Sequence, residues 1–208
     1  MSDKLKLALA DCDEDTAMAA IDELEQAGIA AEQIVAVCNE GMGLLGQRFD
    51  EGEAFIPDLM FGGMLMKKIM ERLTPKLSGK TDSVQKAGKV IIGTVQHDVH
   101  DIGKDITAMV FRGNGFDVID LGVDVPPEKF AAAVQEHKPD VVGLSVLLTT
   151  CYKSVQETMD ALNKAGLRDT VKICIGGAAA SELVAQRTGI DFYAKTAVEG
   201  VNWAKKCI

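Results

Sequence analysis

Residues 89–105 read KVIIGTVQHDVHDIGKD. The first seven are mostly apolar and rich in β-branched side chains, the composition of a buried strand. The next stretch gathers two of the chain's three histidines, His97 and His100, with Asp98, Asp101 and Asp105 around Gly103. From Gly103 onward apolar residues recur at helical spacing to about residue 113. Strand, polar loop and helix thus follow one another within 25 residues (89–113).

The same unit repeats downstream. Short apolar runs at 116–123 (FDVIDLGV), 140–147 (DVVGLSVL) and 171–177 (VKICIGG) read as strands, and DFYAK (191–195) offers a fifth. Amphipathic stretches near 127–137, 153–165, 180–188 and 197–206 alternate with them. This alternation predicts an α/β fold, a doubly wound (Rossmann-like) parallel sheet with helices on both faces. Ligands of such a sheet bind beyond the carboxyl ends of its strands, where the histidine loop lies.

Upstream the period changes. Segments 4–10, 14–27, 31–49 and 57–73 carry apolar residues at helical spacing and predict a four-helix bundle. Gly41, Gly43 and Gly46 inside the third segment suggest close packing against a neighbour. Met60, Met64, Met66 and Met70 read as core filling. The polar stretch after the bundle predicts a division into 1–78, a linker 79–88 and a sheet domain 89–208.

Composition narrows the function. The net charge is −9, and the 22 Lys and Arg residues are scattered, which argues against nucleic acid. No window of about 18 apolar residues and no apolar leader occurs, which argues against a membrane. Five cysteines form no CxxC pair, the usage of a reducing cytoplasm.

The histidine loop admits three readings. It is a polar turn whose Asp caps the next helix, with Gly103 permitting the turn. It is a divalent-metal site built from His97, Asp98, His100 and Asp101. Or one histidine ligates a cofactor's metal while Asp98 holds the far ring nitrogen. The other strand ends bear on the choice. Ser145, Leu147, Thr149 and Cys151 follow the third strand, and Gly176 and Gly177 follow the fourth. Small and hydroxyl residues on one sheet edge leave room for something large and partly polar.

Asp98-Val-His100-Asp-Ile-Gly103, Ser145-Val-Leu147 and Gly176-Gly177 resemble the DxHxxG, SxL and GG elements of the cobalamin-binding module of methionine synthase and of corrinoid methyl-carrier proteins. The elements stand in order, with 41 residues between Gly103 and Ser145 and 28 between Leu147 and Gly176. The helical half, including FDEGEAFIPDL (49–59), resembles the cap domain that precedes this module. The resemblance implies a cobalamin or related corrinoid, cycling between methylcobalamin and Co(I), with His100 on cobalt and Asp98 as its relay partner. It further implies that Gly103, Ser145, Leu147, Thr149, Gly176 and Gly177 bind the cofactor and its nucleotide tail. Cys151 stands where the family can carry a hydroxyl that extends the relay, and a thiol is a weaker partner. Phe49, Ile56 and Leu59 would cover the upper face.

As the resemblance has it, the protein is a non-catalytic carrier of a methyl group from a substrate-specific methyltransferase to a second, corrinoid-to-acceptor methyltransferase. The acceptor would be tetrahydrofolate, tetrahydromethanopterin or a thiol, and a reductive activator would be a further partner. The small subunit of an adenosylcobalamin-dependent mutase and a cobalamin-dependent sensor share the motifs and remain alternatives. His97, Asp101 and His137 read as solvated. Asp98 reads as a residue that tunes the ligand, so that Asp98→Asn should leave the fold nearly intact.

Overall fold

The computed structural model describes residues 2–76 and 87–208. The expected linker, apart from Ala87 and Gly88, lies outside the described residues. The chain divides into two compact units, one of residues 1–86 with Arg112–Gly115, the other of Ala87–Phe111 with Phe116–Ile208.

The first unit holds α1 (Ser2–Ala10), α2 (Glu14–Gln26), α3 (Ala31–Asp50) and α4 (Ile56–Leu73). Asp13 caps α2, its carboxylate accepting the Thr16 N–H at 3.0 Å. Leu5, Leu9, Ile21, Ile34, Leu45 and Ile69 are fully buried and form the apolar seam of the bundle. Close packing explains Gly41, where a Cβ would stand 2.8 Å from both Leu9 Cβ and the Lys6 carbonyl. It does not explain Gly43, where a Cβ would meet nothing within 4 Å. The methionine stripe also departs from expectation. Met66 is buried, but Met60 and Met64 are exposed, because the i, i+4 repeat places both on the outer side of α4.

The second unit is a five-stranded, all-parallel sheet in the order β2-β1-β3-β4-β5. The strands are β1 (Lys89–Thr94), β2 (Asp117–Asp120), β3 (Val141–Ser145), β4 (Lys172–Gly176) and β5 (Phe192–Tyr193). Helices α5 (Ile102–Gly113), α6 (Pro127–His137), α7 (Tyr152–Lys164), α8 (Glu182–Thr188) and α9 (Ala197–Cys207) alternate with them. β2 stops sooner than its apolar run suggests, because Gly122 (φ +87°) and Asp124 (φ +51°) turn the chain out of the sheet. β5 keeps only two residues.

One face of the sheet packs Phe130 and Val134 of α6, Val155 and Met159 of α7, and Val184 of α8 onto Ile91, Val142, Leu144 and Ile173. Helices α5 and α9 share the other face, where Phe111 lies beside Gly200. Right-handed crossovers dictate this distribution once the strand order is given. The order reverses between β1 and β3, so the loops leaving these two strands part and open a crevice at the sheet edge. Among the described residues no helix is long and apolar enough to cross a membrane.

Phe130 is fully buried in this core. Phe130→Ala is expected to destabilise the sheet unit by about 3–5 kcal/mol. A denaturant titration reads this as a lower midpoint, and an unchanged midpoint would contradict the packing described.

Candidate functional site

The crevice is built by backbone first. Val95 N–H donates to the Ser145 carbonyl at 3.1 Å, continuing the β1–β3 ladder past the strand end. The buried Thr94 hydroxyl donates to the His100 carbonyl at 2.9 Å and folds the loop back over β1. Asp105 N–H donates to the Asp101 carbonyl, and α5 begins.

Asp98 sits at the centre with no exposed surface. Its Oδ1 accepts the His100 N–H at 3.1 Å and lies 2.6 Å from His100 Nδ1. Its Oδ2 accepts the N–H groups of Leu147 at 2.6 Å and Leu148 at 3.2 Å. A carboxylate has about four acceptor positions, and four donors occupy them. Burial by itself pushes the carboxyl pKa up. The hydrogen bonds from Leu147, His100 and Leu148 outweigh it and hold the pKa below the ordinary 3.8.

An ionised carboxylate can only accept, so the proton of a neutral His100 lies on Nδ1. Nε2 is then a bare lone pair on a side chain 46% exposed. This is the tautomer a metal needs, with a carboxylate behind it fixing the ring's orientation. Val99 and Ile102 beside it are 66% and 71% exposed, and Leu147 and Leu148 are also exposed. A ligand with a broad apolar surface suits these neighbours. Gly103 adds room, since a Cβ there would meet nothing within 4 Å.

The remaining expected residues fall as follows. Ser145 ends β3 and Gly176 ends β4, and the two are register partners. Thr149 opens a short 3-10 turn on the exposed edge. Gly177 is required by the chain itself: at φ +112° a Cβ would stand 2.2 Å from the Val146 carbonyl. Cys151 is buried in the sheet core, and its Sγ lies 4.0 Å from the Thr150 hydroxyl. With Asp98 saturated by three backbone donors and the His100 ring, no acceptor position remains for that thiol. Phe49 ends α3 half-buried, Ile56 opens α4 exposed, and Leu59 is buried.

Two of the open readings lose ground to this geometry. Asp98 spends its carboxylate on His100, Leu147 and Leu148, so it does not serve as a helix cap. Among the described residues no three His, Cys, Asp or Glu side chains converge to hold a bare ion. The roles of the Leu147 and Leu148 amides were invisible in sequence, since backbone donors carry no residue signature.

Comparison with known proteins agrees in kind. A family profile described as a B12 binding domain matches residues 88–202, and a second profile of that description matches residues 1–74. Dimethylamine corrinoid protein 2 of Methanosarcina acetivorans is 34% identical over 205 residues, 99% of this chain and 94% of the relative. The crystal structure of a cobalamin-binding protein from Desulfitobacterium hafniense superposes with TM-score 0.84 at 36% identity, covering 100% of this chain and 98% of that one. A chain of the methanol:cobalamin methyltransferase complex of Methanosarcina barkeri superposes with TM-score 0.75 at 28% identity, covering 98% and 76%.

The environment of Asp98 revises the expectation that Asn is harmless there. The amide –NH2 of Asn must face either the Leu147 and Leu148 donors or the His100 side. Asp98→Asn is therefore expected to cost about 1–3 kcal/mol of stability. The folded-state pKa lies below the unfolded one, so the stabilisation is full above about pH 4 and lost as pH falls through the folded value. The carboxylate's share of the stability gap between wild type and variant should shrink as pH falls below about 4. Denaturant unfolding at neutral pH and between about pH 5 and 3 checks both, and a gap that does not shrink below about pH 4 would contradict the assignment.

Proposed function

The chain belongs to the B12-binding family of corrinoid proteins, and on that premise we propose that it carries a methyl group between two methyltransferases. The observation that carries the reading is the 2.6 Å contact between His100 Nδ1 and Asp98, which leaves Nε2 free on an exposed ring. When bound, the corrinoid supplies a cobalt centre that can accept and release a methyl group. His100 would hold the cobalt through Nε2, and Asp98 would hold the ring in the required tautomer.

Four hydrogen bonds keep Asp98 in place, so the Nε2 lone pair would stay oriented towards the cofactor side of the loop. Gly103 would admit the macrocycle, and Ser145, Leu147, Thr149, Gly176 and Gly177 would line the slot for its tail. By the same resemblance, Phe49, Ile56 and Leu59 of the helical unit would supply the cofactor's apolar cover.

The methylamine and methanol systems named for the relatives support a substrate-specific methyltransferase as first partner. A corrinoid-to-acceptor methyltransferase and a reductive activator complete the cycle. A mutase subunit is disfavoured because the helical unit itself matches a B12 binding domain profile. Five unpaired cysteines support a reducing cytoplasm.

Two experiments test this. Protein reconstituted with hydroxocobalamin and reduced to Co(II) should show histidine superhyperfine coupling in its EPR spectrum, altered by ¹⁵N-histidine and absent in His100→Gly. Coupling that persists in the variant would remove His100 from the metal. The fully reduced protein should then take a methyl group from methanol or a methylamine when the cognate methyltransferase is added. No transfer with any of these donors would defeat the carrier reading.

The two glycines should separate stability from binding. Gly177→Ala is expected to lower the melting temperature of the apo protein, because its Cβ collides with Val146. Gly103→Ala sits in a helix with open space and is expected to leave that temperature equal or higher, yet weaken corrinoid retention. Equal retention in Gly103→Ala and wild type would show that the space at Gly103 is not used.

A further inference from the structure

Two non-glycine residues beside the histidine loop adopt left-handed backbone conformations, His97 at φ +69° and Asp124 at φ +51°. Such residues persist only where their surroundings hold them, and they concentrate at functional sites. Here they hold each other. His97 N–H donates to Asp124 Oδ1 at 2.7 Å, and Asp124 N–H donates to the Asp98 carbonyl at 2.9 Å. Val95 and Val125 pair as an isolated parallel bridge next to them.

Asp98 is therefore fixed twice. Leu147 and Leu148 hold its carboxylate from β3, and Asp124 holds its carbonyl from the segment after β2. That segment is anchored in turn. Lys104 is buried, and its ammonium reaches Asp120 Oδ2 at 2.6 Å, while Asp120 Oδ1 accepts the Gly122 N–H at 2.9 Å. The stretch from Asp120 to Val125 thus meets the histidine loop at Asp98 and at Lys104, on either side of His100.

We propose that Asp124 is a positioning residue for the His100 ligand, acting through the backbone of His97 and Asp98. A ligand that leaves and rebinds needs a loop whose shape does not depend on the metal. Were the loop held by His100 alone, each release would free the chain from Val95 to Asp101 and each return would have to order it again. The Asp124 brace keeps Asp98 in register during the interval. This rests on the reading of His100 as the cobalt ligand.

The test compares wild type with Asp124→Asn and Asp124→Gly. Asn keeps both a side-chain oxygen that can accept from His97 and a tolerance of left-handed backbone, whereas Gly keeps only the backbone. In the apo protein the His97 amide should be protected from hydrogen exchange in wild type and in Asp124→Asn. It should exchange about three- to tenfold faster in Asp124→Gly, the change expected for one hydrogen bond. After reconstitution with hydroxocobalamin and reduction to Co(II), the ratio of histidine-on to histidine-off signal should fall by a similar factor in Asp124→Gly and hold in Asp124→Asn.

An unprotected His97 amide in wild type overturns the brace whether or not the variants fold. Equal losses in both variants overturn it too, since they would trace to charge rather than to the hydrogen bond. A wild-type Co(II) spectrum without histidine coupling would instead defeat the ligand reading, and the exchange data would judge the brace by itself.

Discussion

A carboxylate with no exposed surface at the end of a central strand is costly unless every acceptor position is filled. Asp98 meets that condition with four donors: the backbone and ring of His100, and the amides of Leu147 and Leu148. Three of the four are backbone groups, which cannot rotate away. The site depends on this arrangement. It keeps Asp98 ionised, ionisation fixes the tautomer of a neutral His100, and that tautomer leaves the Nε2 lone pair free. The same bonds tie the loop after β1 to the loop after β3, so the chemistry and the local fold share one set of contacts.

The strand order explains why these loops can meet. With β1 flanked by β2 and β3, the loops after all three strands converge on one edge. The chain leaves β1 towards β2, while β3 leads the other way to β4 and β5. A crevice follows from that reversal in any sheet of this order. The sequence within the crevice decides its use, and here it supplies an oriented imidazole rather than a cluster of carboxylates.

Much of this was legible in the residues. The β-branched runs located the strands to within a few positions, and helical spacing located the bundle. Asp98 and His100 stood out because two histidines among three aspartates at a strand end need a reason. What was hidden was carried by the main chain. The Leu147 and Leu148 amides and the left-handed turns at His97 and Asp124 depend on tertiary placement and leave no side-chain pattern. Met60 and Met64 were misjudged for a related reason: α4 is apolar on more than one side, so periodicity alone could not choose its inner face. Cys151 was placed near the relay by the family resemblance, yet it is buried in the core, where Val155 and Ile175 belong to the same cluster.

The apolar neighbours of His100 suggest how retention and tuning divide between residues. Val99, Ile102, Leu147 and Leu148 lie on the loops that frame the imidazole, and all are exposed. Covering apolar surface stabilises a complex by roughly 25 cal/mol per Å², so a broad ring laid against them gains affinity without any metal–ligand bond. A slot beside Gly176 and Gly177 for a nucleotide tail would add to that gain. On the proposed function, His100 would then be relieved of holding the cofactor by itself. A carrier would need this separation, because a ligand that alone retained the cofactor could not let go of it.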